Sequence, residues 1–493
     1  MGPAGVLGRG SGGAQARPRG ASPRFFPFGH CNAPGQPLMS PSMVSHGRSL
    51  IIRDPVWNTI RLDPVAAAII DTPAFQRLRY IRQLGLAHLV YPGATHTRFD
   101  HALGVYHLAD RAIRILQAGP PVPPRVWEGM HLIRYAALLH DIGHYPFSHA
   151  LEELEQAQIA ANHEEIGARF FESREMRAAL APLGEGAAEG IGRIMRGGGE
   201  NALRGLVSGS LDLDKMEYLR RDARFCGVPY GEVDVERLLQ GLVLLQDPET
   251  GEWEVGVRAK ALSALESLLF SKYQMFRNVY WHHAVRAGTG MYKRIVEDAV
   301  AAGLLSPADL IGPTDEELLY EQRRRARSRD GEVAARLAGR WLPALRNRNL
   351  PKRAVEIPAW RLEGRSLPGW VSGNTVEKRR WEDALADELG LAPGEVILDF
   401  PIKKQMFQLD VLVERPGHPV RRIGREGIPG LFDLPKLAEA LYRTARVLRL
   451  FTFERRELKP EWVLERLAAG QPGTPLGTSD VTGVEEIPGT TEE

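Results

Sequence analysis

The chain has 493 residues, 43% of them hydrophobic and 25% charged, with a net charge of +2. This is globular composition with room for two or three domains and a large core, and so balanced a charge excludes a global attraction to nucleic acid or to a membrane surface. Two cysteines, Cys31 and Cys226, exclude a disulfide framework and a thiolate metal site and fit a reducing cytoplasm, and no apolar run reaches the length of a bilayer span.

In chain order, residues 1–48 are rich in Gly, Pro, Ser and Arg, and the first acidic residue is Asp54. They read as disordered, or as sequence ahead of a true start at Met39 or Met43, in preference to a transit peptide. Ile51–Pro55 is a short extended piece. Asp63-Pro64 and Thr72-Pro73 each open a helix, with proline in the first turn. Residues 100–117 carry apolar positions at helical spacing, and Gly119–Pro124 is a stiff loop. Helices are expected around 163–182, 200–208, 212–223 and 233–245, and a long one over 259–302, so the chain to that point reads as almost entirely α-helical. A helix-like run from Pro307 contains Arg323–Arg327, a charge run that reads as a solvated face rather than a nucleic-acid contact. From 395 the period changes. Residues 396–400 and 407–413 read as strands, 433–447 as a helix and 447–453 as a strand. Residues 470–493 read as a disordered tail. The expected organisation is a mainly α domain over 49–305 followed by a C-terminal helical and α+β module over 306–469.

The densest chemistry lies in Leu138–His149, where His140, Asp141, His144 and His149 fall within ten residues. Apolar Tyr135, Ala136, Leu138 and Leu139 run up to them, so His140-Asp141 stands at the buried end of a helix. An unpaired carboxylate there is costly unless a cation or a donor satisfies it. Imidazole and carboxylate together suit a divalent metal of intermediate hardness. Adjacent helical residues point about 100° apart, so further ligands must come from elsewhere. Upstream, His101 lies in the first turn of a helix opened by Arg98-Phe99-Asp100. Downstream, Asp214, Lys215, Tyr218 and Asp222 share the polar face of one helix. Asp214 is the candidate further ligand, with Asp212 nearly as well placed.

An upstream His, an adjacent His-Asp and a downstream Asp resemble the HD-domain metal-dependent phosphohydrolases. Asp71–Gly85, Tyr91–His101 and His140–His149 resemble one branch more closely, the deoxynucleoside triphosphate triphosphohydrolases. Its type is the sterile-alpha-motif and HD-domain dNTPase with its bacterial dGTPase-like relatives; the sterile-alpha-motif itself has no counterpart here. The match runs from about Ile51 to Arg294. The resemblance implies a helical HD core and a divalent ion (Mn, Fe, Mg, Co, Ni or Zn) on His101, His140, Asp141 and Asp214. It implies a catalytic His163 supported by Glu152, where the family often has Asp, with His144 and His149 beside the phosphates. It also implies that Arg98 and Lys215 hold phosphate oxygens, and that Gln83, Tyr218, Asp222 and Tyr280 shape a sugar pocket. A regulatory nucleotide is implied at Asp71, Gln76 and Arg79 between subunits of a dimer or tetramer, although Leu50 and Arg53 depart from the pattern of the activated relatives. Asp71 equally reads as the cap of the helix that begins at Thr72.

These residue types suit the chemistry in their own right. A triphosphate needs compact cations, a guanidinium that binds through two N–H groups, and a histidine to move a proton. The leading expectation is hydrolysis of deoxynucleoside triphosphates to deoxynucleoside and inorganic triphosphate. The alternatives are hydrolysis of another nucleotide, such as a monophosphate or an alarmone, and a nucleotide-sensing protein with little turnover.

Overall fold

A computed structural model of the chain describes residues 49–154, 163–199, 201–372, 376–401, 409–423 and 434–469; of residues 163–165, 168, 372 and 434–438 the backbone alone is described. The expectations for residues 1–48 and 470–493, and for the side chain of His163, lie outside the described residues.

The first described element is a hairpin, β1 (Leu50–Asp54) against β2 (Asn58–Leu62). Asp63 then caps α1 (Pro64–Ile70), accepting from the amides of Val65 and Ala66. Asp71 does not cap the helix that follows. Thr72 does, its hydroxyl accepting from the amide of Phe75 at the start of α2 (Pro73–Gln76), while Asp71 only closes α1 through its backbone. A capping box between Thr97 and Asp100 opens α3 (Arg98–Gln117) and fixes where its first turn points. Against α3 packs α4 (Met130–Leu139), whose run of Tyr135 through Leu139 is fully inside the core. Next come α5 (Ser148–Leu151), α6 (His163–Phe171), α7 (Arg174–Leu180) and α8 (Ala187–Met195). The expected helix over 163–182 breaks at Ser173, which caps α7. The one expected over 200–208 is only a 3-10 turn, Arg204–Leu206, because Gly205 and Gly209 sit in a run too short to nucleate an α-helix. Asp212 caps α9 (Leu213–Cys226), and Gly227 ends it in the left-handed conformation.

The 233–245 expectation fails in its second half. Helix α10 (Val235–Gly241) stops, and β3 (Leu242–Gln246) pairs antiparallel with β4 (Trp253–Arg258). Leu242–Leu245 is buried on both faces, and a wholly apolar run carries no period to separate strand from helix. The long helix expected over 259–302 is two, α11 (Leu262–Met275) and α12 (His283–Ala301), parted by a wide turn at Phe276–Tyr280.

Beyond it, α13 (Asp315–Arg327), α14 (Glu332–Arg336) and α15 (Leu342–Arg346) pack on α12 around Trp341. In the arginine run, Arg324 and Arg325 pair with Glu321. The remaining elements are β5 (Lys352–Pro358), α16 (Val376–Glu388), β6 (Val396–Asp399), β7 (Val411–Glu414), β8 (Arg421–Ile423), α17 (Leu434–Ala445), β9 (Val447–Thr452) and α18 (Pro460–Ala468). Strands β5, β9 and β6 form one antiparallel sheet. Strands β7 and β8 complete a second sheet with β3 and β4, through a parallel β4–β7 pair at Val257–Val413. The fold is thus a mainly helical core with a smaller α+β C-terminal module, and this second sheet stitches the two together. Among the described residues no helix is long and apolar enough to cross a membrane.

Candidate metal centre

Three helix ends converge. The first turn of α3 brings His101, the residue closing α4 is His140, and the first turn of α9 brings Asp214. Their ligand atoms all lie within 4.8 Å of one another. His101 Nε2 is 3.2 Å from His140 Nε2 and 2.9 Å from Asp214 Oδ1. Asp141 stands at the rim, its carboxylate 3.3 Å from His140 Nε2 and 3.9 Å from that of His101. Asp212, the alternative ligand, is not in this group: it caps α9 and pairs with Lys215.

Both imidazoles are oriented from behind. His101 Nδ1 donates to Glu217 Oε2 at 2.6 Å, and His140 Nδ1 donates to the carbonyl of Ala137 at 2.8 Å. Each ring therefore turns Nε2 inward, the arrangement that fixes the tautomer of a metal-binding histidine. Glu217 is fully buried and also accepts from Trp57 Nε1 at 2.9 Å and Arg221 Nε at 2.7 Å. Arg221, buried too, pairs with Asp54 of β1 at 2.9 Å. Gly104, one turn after His101, leaves the room, because a Cβ there would lie 2.0 Å from Glu217 Oε1.

Electrostatics favour a cation. Burial works against charging His101, yet Asp214 and Glu217 more than offset it and raise it to about 10. His140 is raised in the same way by Asp141 and Asp214 against its burial. Burial pushes Asp141 up, but Arg98, His140 and His144 hold it well below the usual carboxylate range. A divalent ion would take the place of the protons these carboxylates attract, so affinity rises with pH. Two inward Nε2 atoms with backed imidazoles, and a carboxylate between them, fit such an ion.

On one flank lies the segment His144–Glu152. Buried Arg98 donates to Asp141 Oδ2 at 2.6 Å, to Ser148 Oγ at 3.2 Å and to His149 Nε2 at 3.1 Å. His144 lies 2.8 Å from Ser148 Oγ and 3.1 Å from Asp141. Glu152 faces His149 Nδ1 at 3.5 Å and His144 Nδ1 at 3.9 Å. Arg77 supports the turn from below, donating to the carbonyls of Ile142 at 2.9 Å and His144 at 2.8 Å. His163 begins α6.

On the other flank a cavity of about 600 Å³ opens beside His140 and Asp214, walled by Ser208, Ser210, Lys215 and, from the C-terminal module, Arg422. Lys215 points its ammonium at Asp212 and at the carbonyl of Gly209. The expected sugar-pocket residues gather around Asp222 instead. Tyr280 donates to Asp222 Oδ2 at 2.6 Å, and His96 Nε2 lies 2.8 Å from Oδ1. The ring of Tyr218 is 6.5 Å from that of Tyr280, and Gln83 is buried, its backbone N–H donating to the carbonyl of His96. Of the regulatory candidates, Gln76 donates to the carbonyl of Ile70 and accepts from Arg79, whose guanidinium lies 3.5 Å over Phe99. Asp71 is exposed.

Sequence reasoning missed Glu217, Arg221, His96 and Arg77. A signal existed for the first two. Glu217 and Arg221 are charged yet lie at i+4 and i+8 from Leu213, on the apolar stripe of α9, where only a buried pair is tolerated.

A family model described as HD domain matches residues 98–198, and one described as HD associated region matches 233–425. An uncharacterized protein of Methanocaldococcus jannaschii is 30% identical over 395 residues, which take in 79% of this chain and 76% of that protein. The deoxynucleoside triphosphate triphosphohydrolase SAMHD1 of Homo sapiens is 27% identical over 399 residues, 73% of this chain and 62% of that protein. The chain therefore spans less than two thirds of that relative. A solved phosphohydrolase from Bacteroides thetaiotaomicron shares the fold, with a TM-score of 0.62 at 24% identity over 82% of this chain and 100% of its own.

Proposed function

The chain belongs to the HD-domain phosphohydrolase family, and from that premise we propose that it hydrolyses deoxynucleoside triphosphates to deoxynucleoside and inorganic triphosphate. The observation that carries this reading is the His101–His140–Asp214 group, with Arg98 and His149 on one flank and Lys215 on the other. We assign a divalent ion to that group, with Asp141 as a further ligand. When bound, it supplies Lewis acidity toward phosphoryl oxygen.

The chain's own residues have separable tasks. Arg98, held by Asp141, offers a planar fork to phosphate oxygens, and Lys215 adds a point charge. Glu152 orients His149 and His144 beside the phosphates and supports His163, which donates the proton to the leaving oxygen. Tyr218 and Asp222 lie one and two turns beyond Asp214 on α9, so a sugar can rest on them while its phosphates reach the ion. The hydrogen bond to Asp222 fixes Tyr280 as a wall against C2′. The triphosphohydrolase relatives support this substrate class.

The test is a panel of the four deoxynucleotides and four ribonucleotides with Mn²⁺, Mg²⁺, Fe²⁺ and Co²⁺, run on wild type and Asp214→Ala. Deoxy forms should turn over faster by about 5- to 150-fold, the range set by overpacking a wall, and the variant should be inactive. Equal rates on GTP and dGTP contradict the sugar pocket, and an active Asp214→Ala contradicts the metal assignment.

A further inference from the structure

Segment His144–Glu153 has two sides. His144, His149 and Glu152 face the metal group, whereas Phe147, Leu151 and Glu153 face α12. Phe147 holds a left-handed backbone at φ 55°, which costs a non-glycine residue about 1–3 kcal/mol and persists only where the surroundings over-determine it. Two contacts with α12 do so. The Phe147 ring packs 4.6 Å from that of Tyr292. The Glu153 carboxylate is gripped by the Arg286 guanidinium through two bonds of 2.7 and 2.8 Å and by Lys293 at 2.7 Å. Arg286 is itself held from behind by Asp399 of β6 at 2.9 Å. Arg286, Lys293 and Asp399 are all buried. Helix α12 lies close on β6, since a Cβ on Gly290 would come within 2.8 Å of Ile397.

We propose that Glu153 is a positioning residue: its clamp to Arg286 and Lys293, backed by Asp399, holds the strained turn so that His149 and Glu152 face the metal group. The C-terminal sheet thereby sets turnover although none of its residues touches substrate through this network. Charged bidentate pairs fix direction as well as distance, and a misplacement of about 1 Å costs about 10²-fold in rate.

The kinetic arm of the test rests on the hydrolysis proposed above; the exchange arm does not depend on the substrate. In the full chain, Glu153→Gln should keep its metal content while amide exchange across residues 147–153 accelerates. Its kcat should fall about tenfold or more with KM within about threefold of wild type, and that loss should nearly vanish when Glu152→Gln is already present, because the two act through one geometry. Asp399→Asn should show the same pattern more weakly, and it carries the test if Glu153→Gln does not fold. Unchanged exchange in both variants overturns the clamp whatever the substrate. An equal fold-loss in the wild-type and Glu152→Gln backgrounds reduces Glu153 to a residue of general stability and overturns the positioning role.

Discussion

Replacing Glu217 with Gln tests the proposed metal centre without touching a proposed ligand. Glu217 Oε2 accepts from His101, and Oε1 accepts from Trp57 and Arg221. All three partners are donors. A glutamine has one acceptor oxygen and one amide nitrogen, so one side must set N–H against N–H in a fully buried site. The variant also leaves buried Arg221 with Asp54 as its remaining charged partner, and breaking such a pair costs about 3–5 kcal/mol. At about 1 °C per kcal/mol for a chain of this size, the thermal midpoint should fall by about 3–5 °C. Loss of the partner behind a ligating histidine typically weakens metal binding about 10- to 100-fold. Titration calorimetry with Mn²⁺ beside a melting curve separates the two effects. A variant that melts lower but binds metal within a factor of about two of wild type would refute the role of Glu217 in aiming His101.

Gly104→Ala drives a methyl into the same carboxylate, 2.0 Å from Oε1, so it should lower the melting temperature by an amount equivalent to about 1–3 kcal/mol and weaken metal binding with it; calorimetry checks both. Tyr280→Ala opens the wall beside Asp222 and should narrow the preference for dGTP over GTP in kcat/KM, whereas an unchanged ratio would place the sugar elsewhere. Glu297 on α12 is buried, and burial together with Glu382 raises it to about 7 from 4.5 against the pull of Lys378, Arg379 and Lys293. The folded state binds this proton more tightly than the unfolded chain, so stability is lost as pH rises from 4.5 to about 7. Glu297→Gln should therefore be more stable than wild type at pH 8 by about 3 kcal/mol and match it near pH 4, as melts across that range will show.

Much of the helical core was legible because its signals are local. Asp63-Pro64 and Thr72-Pro73 mark helix starts by a proline in the first turn, and α4 announces its burial by an unbroken apolar run. The convergence of His101, His140 and Asp214 came from resemblance, because no spacing along the chain says that three helix ends meet. Strand β3 was missed because Leu242–Leu245 is apolar on both faces and carries no period, although Asp247-Pro248 and Gly251 between it and β4 are a hairpin signal. The long helix over 259–302 was over-extended because its composition stays helix-compatible through Phe276–Tyr280, where tertiary packing of Phe276 and Trp281 imposes the break. Glu153 was invisible for the opposite reason. Beside Glu152 it reads as one more surface carboxylate, and only the fold brings Arg286 and Lys293 to it.

The most direct test of the central claim is the identity of the products. Metal-loaded protein incubated with dGTP should release deoxyguanosine and intact inorganic triphosphate in equal amounts, separable by ion-exchange chromatography, and Asp214→Ala should release neither. Pyrophosphate with dGMP, or orthophosphate with dGDP, would contradict cleavage of the bond between the α-phosphorus and the 5′-oxygen, the bond the account places beside His101, His140 and Asp214.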